Sequence, residues 1–249
     1  INSNDVSEHR HLGIVYYFYN RLTRSIALSR AAGLVSVSRE LLSLPVFNRY
    51  GKLTRVIANG IDLSRIMELP APNNTRPRLV FIGTPGYPWH GVEKLTTLAS
   101  AFPDLMIDVI GYDTLGATVS MPNVVLHGYL TSQSYQQIIG RADVAIGSLA
   151  LHRNNLSEAS PLKTRECLAY GLPSILPYID TDLDEVISDT LLKIPNQEDN
   201  VLKHGKAIYD FAYRMRGRRI DRQLIGPLID MHAKETKRID FFKEIISKR

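Results

Sequence analysis

Between residues 79 and 194, short, continuously apolar runs alternate with longer stretches of helical periodicity, and this alternation constrains the fold more than any other feature. The runs fall at 79–82, 106–110, 124–126, 144–146, 174–176 and 191–194, with helical stretches at 92–101, 132–140 and 161–170 between most of them. Strands that are apolar on both sides have to be covered on both sides, and strands joined through helices run parallel. The pattern predicts an α/β domain with a doubly wound parallel sheet, which takes its ligands at the carboxyl ends of the strands. At 44% hydrophobic and 22% charged over 249 residues, the chain can build a sizeable core, which excludes a disordered or collagen-like polymer. A single cysteine, Cys167, excludes an internal disulfide or a cysteine zinc cluster and fits a reducing compartment. No apolar run reaches the roughly 18 residues that cross a bilayer.

Outside that block the signals are simpler. Residues 12–32 place Ile14, Tyr17, Phe18, Leu22, Ile26 and Ala27 at intervals of three and four, an amphipathic helix. A strand at 34–38, a helix from Arg39 and a strand at 55–58 follow, the last ending in the turn signal Asn59-Gly60, two residues that tolerate positive φ. Residues 68–77, rich in Pro and Asn, form the best linker candidate. From Lys203 the chain reads as helix, broken at Gly217 and at Gly226-Pro227, and its last helix carries Ile239, Phe242, Ile245 and Ile246 on one side. The net charge of +5 is concentrated there: residues 203–249 hold 13 Lys/Arg against 6 Asp/Glu. Such a tail is either a solvated helix face or a contact with an anionic partner such as an acidic membrane surface.

Two strand-to-helix junctions carry residues suited to an anion. The first runs Phe81-Ile82-Gly83-Thr84-Pro85-Gly86-Tyr87-Pro88-Trp89-His90-Gly91, with glycines directly after a strand and again ahead of a helix. Glycine lets backbone N–H groups approach a phosphate, and a helix N-terminus adds partial positive charge. The spacing fits neither the P-loop nor the dinucleotide fingerprint, and glycines that serve only a turn are the plainer alternative.

The second junction runs from Ser157 to Pro173. Ser160 is the expected N-cap with Pro161 at the first helical position, and Gly171 and Pro173 stop the helix. Lys163 then falls in the first turn, where a cation opposes the helix dipole; an anion lodged beside it accounts for this, and a solvated surface lysine is the alternative. Glu158 and Glu166 flank Lys163 and are expected to face one cleft, where ionised carboxylates suit paired sugar hydroxyls.

The run Glu158-Ala159-Ser160-Pro161-Leu162-Lys163-Thr164-Arg165-Glu166-Cys167-Leu168-Ala169-Tyr170-Gly171-Leu172-Pro173 resembles the E-x7-E signature of retaining GT-B glycosyltransferases of the family 4 type. Val35-Ser36-Val37-Ser38, Ala58-Asn59-Gly60-Ile61-Asp62, Leu79-Val80-Phe81-Ile82-Gly83, Trp89-His90-Gly91-Val92, Asp108-Val109-Ile110-Gly111, Leu126-His127-Gly128-Tyr129 and Ala142-Asp143-Val144 follow that family's order. The resemblance implies a Rossmann-like GT-B C-terminal domain over residues 59–225. It also implies a remnant of the N-terminal Rossmann-like domain over 1–58, and a C-terminal helix over 226–249 that packs back on it. The chain, which begins at Ile1, is then expected to be the donor-binding portion of a longer enzyme.

The activity implied is transfer of a sugar, with retention, from a nucleotide-diphosphate sugar to a hydroxyl of a sugar, glycolipid or glycan acceptor. The expected setting is polysaccharide or glycoconjugate biosynthesis in the cytoplasm or at the inner membrane face, with no nucleic acid partner and no cofactor beyond the donor substrate. By resemblance, Glu158 and Lys163 are catalytic, Glu158 on hydroxyls of the transferred sugar and the Lys163 side chain on the diphosphate or sugar. Glu166 takes the ribose, and the backbone of Ser157, Ala159, Ser160 and Leu162 meets the diphosphate or sugar. Gly83 and Thr84 close the other side, and Gly111 and Tyr129 offer backbone to the base. His90 stands where many relatives have Lys, and near neutral pH a histidine is only partly charged. Asp180-Thr181-Asp182 matches a DxD metal pattern, yet no metal is expected, since GT-B enzymes of this kind use helix dipoles and basic side chains. Three alternatives stand beside this reading. A GT-B-fold nucleotide-sugar epimerase is disfavoured by the glutamate spacing, and a phosphorylase by the lack of a supported pyridoxal lysine. The third is a non-catalytic nucleotide-binding or membrane-associated module.

Overall fold

The computed structural model describes residues 1–3, 13–116, 121–183 and 189–248. Helix α1 (Ile14–Arg30) leads to β1 (Gly33–Ser36), two short helices α2 (Arg39–Ser43) and α3 (Pro45–Asn48), and β2 (Leu53–Val56). Strands β1 and β2 pair in parallel as a separate two-stranded sheet. The expected first residue of the opening helix, Leu12, lies outside the described residues. Most of the predicted stripe on α1 is uncovered: Ile14, Phe18, Leu22 and Ile26 are exposed.

The main sheet consists of β3 (Arg78–Ile82), β4 (Met106–Ile110), β5 (Val124–Leu126), β6 (Val144–Ile146), β8 (Ser174–Leu176) and β10 (Leu191–Lys193). All pairs are parallel, in the order β10-β8-β6-β3-β4-β5. Successive residues of β3 serve opposite faces. Leu79 and Phe81 join Ile107, Val109, Val144 and Ile146 in a core closed by α4 (Lys94–Ala101) and α7 (Asn200–Met215). Val80 points the other way, with Ala145 and Ile110, toward α5 (Ser132–Arg141) and α6 (Leu162–Ala169). Helices on both faces satisfy the double apolarity read in the sequence, so the domain is a Rossmann-like, doubly wound sheet.

Between β6 and β10 the chain also forms the short parallel pair β7 (Glu158–Ala159) and β9 (Ile179–Asp180). It ends in α8 (Arg222–Ile229) and α9 (Met231–Ser247). The predicted break at Gly226-Pro227 is not seen: both residues lie inside α8, with Pro227 the sixth of its eight residues. The chain turns instead at Asp230, whose carboxylate accepts from the His232 N–H at 3.3 Å and caps α9.

Helix α9 lies against the β1–β2 sheet. Phe241, buried, and Ile245 press on Gly33, while Arg55 pairs with Glu244 at 2.5 Å. Of the four apolar residues expected to make that contact, Ile239, Phe242 and Ile246 are exposed and only Ile245 reaches the sheet. Phe241 is the anchor, set off by one residue from the stripe read in the sequence.

The Asn59-Gly60 turn also differs from expectation, since neither residue has positive φ. Gly60 is required by proximity: a Cβ there would lie 2.6 Å from the Met231 Cα at the α8–α9 turn. Ile61 bonds on either side of that turn, its N–H to Ile229 and its carbonyl from Met231.

Candidate functional site

The main sheet reverses its winding between β3 and β6. From β3 the chain steps outward through β4 to β5, then returns to β6 and continues outward through β8 to β10. Open α/β sheets take ligands in the crevice beyond the strand carboxyl ends at such a reversal. Lys163 occupies it. Its Nζ donates to the Ile82 carbonyl at 2.8 Å, lies 5.0 Å from the Phe81 ring centroid, and covers a small space lined by Ile146 and Gly147. Burial, partly offset by the Cys167 thiol, lowers its pKa to about 8.

Beyond Lys163 opens a cavity of about 380 Å³, on which Glu158, Ser160, Leu162, Lys163, Trp89 and His90 converge, with Ala159 beside them. Ser160 does not cap α6. Pro161 takes the N-cap position with extended backbone, and the Ser160 hydroxyl instead accepts from the Asn59 N–H at 2.9 Å and from Arg165 Nη2 at 2.8 Å. The hydroxyl is spent on tying the 157–161 segment to the Asn59 turn, so the first amides of α6 have no side-chain cap from within the chain.

Glu158 is only 7% exposed. Its Oε2 accepts from the Glu40 N–H at 2.9 Å, and its Oε1 is buried with no hydrogen-bond partner. Ser157 does not line the cavity; its N–H donates to Glu40 Oε2 at 2.7 Å.

His90 Nδ1 lies 3.2 Å from the Thr84 N–H, 3.1 Å from the Thr84 carbonyl oxygen and 3.0 Å from the Tyr112 hydroxyl, and its tautomer sets which of these it accepts from and which it donates to. Burial first, and then the charge of Lys163, lower its pKa to about 3 against the opposing Thr84 carbonyl. The partly charged imidazole expected from the sequence is therefore neutral here, and Lys163 is the cation of this crevice.

Gly83 and Thr84 are thus joined to the cavity through His90 and not as lining residues. Gly111, with φ +89°, sits against Gly83: a Cβ there would meet the Gly83 carbonyl oxygen at 2.0 Å. Its N–H donates to the Gly128 carbonyl at 2.7 Å, next to Tyr129, which is 87% exposed.

Glu166 stands almost one helical turn beyond Lys163 and accepts from the Tyr135 hydroxyl of α5 at 2.8 Å. Burial raises its pKa, with the Tyr135 bond opposing. The two glutamates do not share the cavity as the sequence suggested. Glu158 lines it, whereas Glu166 does not and is hydrogen-bonded to Tyr135 of α5.

The DxD-like pair is used inside the protein. Arg165, 0% exposed, donates to both Asp180 oxygens at 2.7 and 2.8 Å and to Asp182 at 3.1 Å, and Lys234 of α9 donates to Asp182 at 2.6 Å. Arg165 Nε also donates to the Asn59 carbonyl at 3.1 Å. Among the described residues, no three His, Cys, Asp or Glu side chains are grouped to hold a metal.

Sequence reasoning missed Glu40, Asn59, Arg165 and Trp89 as site components. Asn59 and Arg165 stood inside quoted motifs but were read as turn and helix residues. Glu40 gave no signal, its partners lying 117 and 118 positions away.

No family model and no curated protein matches the chain. Solved structures do. Sucrose-phosphate synthase from Thermosynechococcus elongatus aligns with a TM-score of 0.66 at 15% identity, over 100% of this chain and 67% of its own. The lipopolysaccharide outer core galactosyltransferase WaaB aligns at 0.63 and 13% identity, over 86% and 62%. Anabaena HepE, in complex with UDP-glucose, aligns at 0.58 and 13% identity, over 91% and 68%. The chain thus shares the fold of GT-B glycosyltransferases. It spans about two thirds of the length of these proteins.

Proposed function

We propose that this chain is the donor-binding portion of a retaining, family 4 type glycosyltransferase. It would transfer a sugar from a nucleotide-diphosphate sugar to a sugar, glycolipid or glycan hydroxyl in cytoplasmic polysaccharide or glycoconjugate assembly. The observation that carries this reading is the pairing, at the winding reversal, of the Lys163 cation with the partnerless Glu158 oxygen beside one open cavity. The two groups match the two ends of a sugar diphosphate.

In this proposal the diphosphate lies between Lys163 Nζ and the uncapped first amides of α6. There it neutralises a cation held against the helix dipole and gains that dipole itself. As the bond from sugar to phosphate lengthens, charge grows on the leaving oxygen and Lys163 stabilises it. Glu158 Oε1 accepts from hydroxyls of the transferred sugar, and Glu166 and the Gly111–Tyr129 edge take the ribose and base. No step calls on Asp180 or Asp182, whose oxygens are committed to Arg165 and Lys234. In the proposed division of the chain, residues 1–58 belong with an N-terminal domain, 59–225 bind the donor, and 226–249 pack back on the first part. The contact of α9 with the β1–β2 sheet supports this division.

The test is calorimetric titration with UDP-, GDP- and dTDP-sugars. Micromolar to millimolar binding of at least one is expected, weakened about tenfold by Glu166→Ala for the nucleotide alone. A folded protein that binds none contradicts the proposal.

A further inference from the structure

Glu40 and Glu158 hold each other by an exchange that neither motif announces. Glu40 Oε2 accepts from the backbone N–H groups of Ser157 and Glu158, each at 2.7 Å. Glu158 Oε2 in return accepts from the Glu40 N–H at 2.9 Å. Three backbone N–H donors thus tie the two side chains to each other's main chain. Its result is asymmetric. One Glu158 oxygen is consumed by the bracket, and the other is left buried and without a hydrogen-bond partner, in a residue that lines the cavity. An unsatisfied buried carboxylate oxygen costs stability unless something outside the chain donates to it.

We propose that Glu40 is the positioning residue for Glu158: its two-point grip on the Ser157 and Glu158 amides fixes the backbone from which the free Glu158 oxygen is presented to a donor sugar hydroxyl. This rests on the reading of Glu158 as the sugar-binding carboxylate, and it assigns the control of sugar discrimination to a residue on α2, outside the E-x7-E run. The Glu40 side chain needs only an acceptor at Oε2. Gln in its place can still accept from both amides, whereas Ala removes the grip and Asp, one carbon shorter, cannot reach.

The experiment measures the affinity of the whole chain for UDP-glucose and for UDP, or for the base the panel above selects, and takes their ratio as the sugar increment. Glu40→Ala should reduce that increment about tenfold while leaving the nucleotide affinity within about threefold of the parent, and Glu40→Gln should restore it. In a Glu158→Ala background, which removes the carboxylate altogether, Glu40→Ala should have no further effect on the increment, since a residue acting through Glu158 has nothing left to position.

An increment unchanged in Glu40→Ala, or lost equally in the Gln variant, overturns the proposal. So does an additive loss in the double mutant. If Glu40→Ala does not fold, Glu40→Asp decides on the same readout. A parent that binds no nucleotide sugar fails the functional reading itself, while a parent that binds normally with a silent Glu40 fails only this inference.

Discussion

Burial acts on Lys163 and His90 in the same direction but leaves them in different states. Lys163, lowered to about pKa 8, is still mainly protonated at pH 7, whereas His90, lowered to about 3, is not. An arriving diphosphate raises the Lys163 pKa, so binding takes up a proton wherever the free lysine has lost it. Affinity for UDP or its equivalent should therefore fall as pH rises through 8, approaching tenfold per pH unit, and the fall should vanish in Lys163→Met. Titrations in buffers of different ionisation enthalpy should show proton uptake above pH 8; none, with a flat affinity, contradicts the role of Lys163.

His90 gives a stability signature. Its unfolded pKa is near 6.5 and its folded value near 3, so the unfolded chain binds the extra proton between them and stability falls as pH is lowered through that window. In urea unfolding, the parent should lose up to about 1.4 kcal/mol per pH unit more than His90→Asn, which keeps an acceptor for the Thr84 N–H. Equal slopes would mean the imidazole titrates normally. At this scale the sequence was legible for the kind of residue but not its state. Lys163 against the dipole could be read from helix register, but the neutrality of His90 depends on its burial and then on Lys163, which only the fold brings about.

Two kinds of element set the site in place: strands whose ends were legible in the sequence, and connections whose partners were not. β4, β5, β6 and β8 fall where the apolar runs placed them, because a strand apolar on both faces has only the interior of a doubly wound sheet to occupy. The connections were obscure because their partners are distant. Arg165 ties α6 to β9, to the Asn59 turn and, through Asp182, to Lys234 on α9.

Replacing Arg165 with Met leaves Asp180 buried without its counter-charge, and about 3–5 kcal/mol of stability should be lost in urea unfolding. Asp180→Asn in that background should recover part of the loss; an additive loss would mean the two do not act as a pair. The basic tail finds similar employment. Arg219 donates to the Gly140 and Ala142 carbonyls at the end of α5, and Arg222 to the Ala169 carbonyl at the end of α6. Cations satisfying helix C-termini explain these two arginines without an external anion.

Over the whole molecule, two sheets meet around one cavity. Val37 and Leu41, from the β1 side, line it together with Glu158 and Lys163 from the main-sheet side. Glu40, Asn59 and α9 are the ties between them, each a contact of long sequence separation. The helices on both faces of the main sheet were legible from periodicity. That the chain closes on itself through Gly60 and Met231 was not, because close backbone approach leaves no mark in composition beyond a glycine that has many other uses.

The proposed chemistry follows from where the donor sits. A crystal structure with a bound nucleoside diphosphate or its sugar tests this most directly. The diphosphate should lie within hydrogen-bond distance of Lys163 Nζ and the first amides of α6, with Glu166 on the ribose and Glu158 Oε1 facing the sugar. A nucleotide bound elsewhere, or a diphosphate that leaves Lys163 on the Ile82 carbonyl and touches neither group, would contradict it.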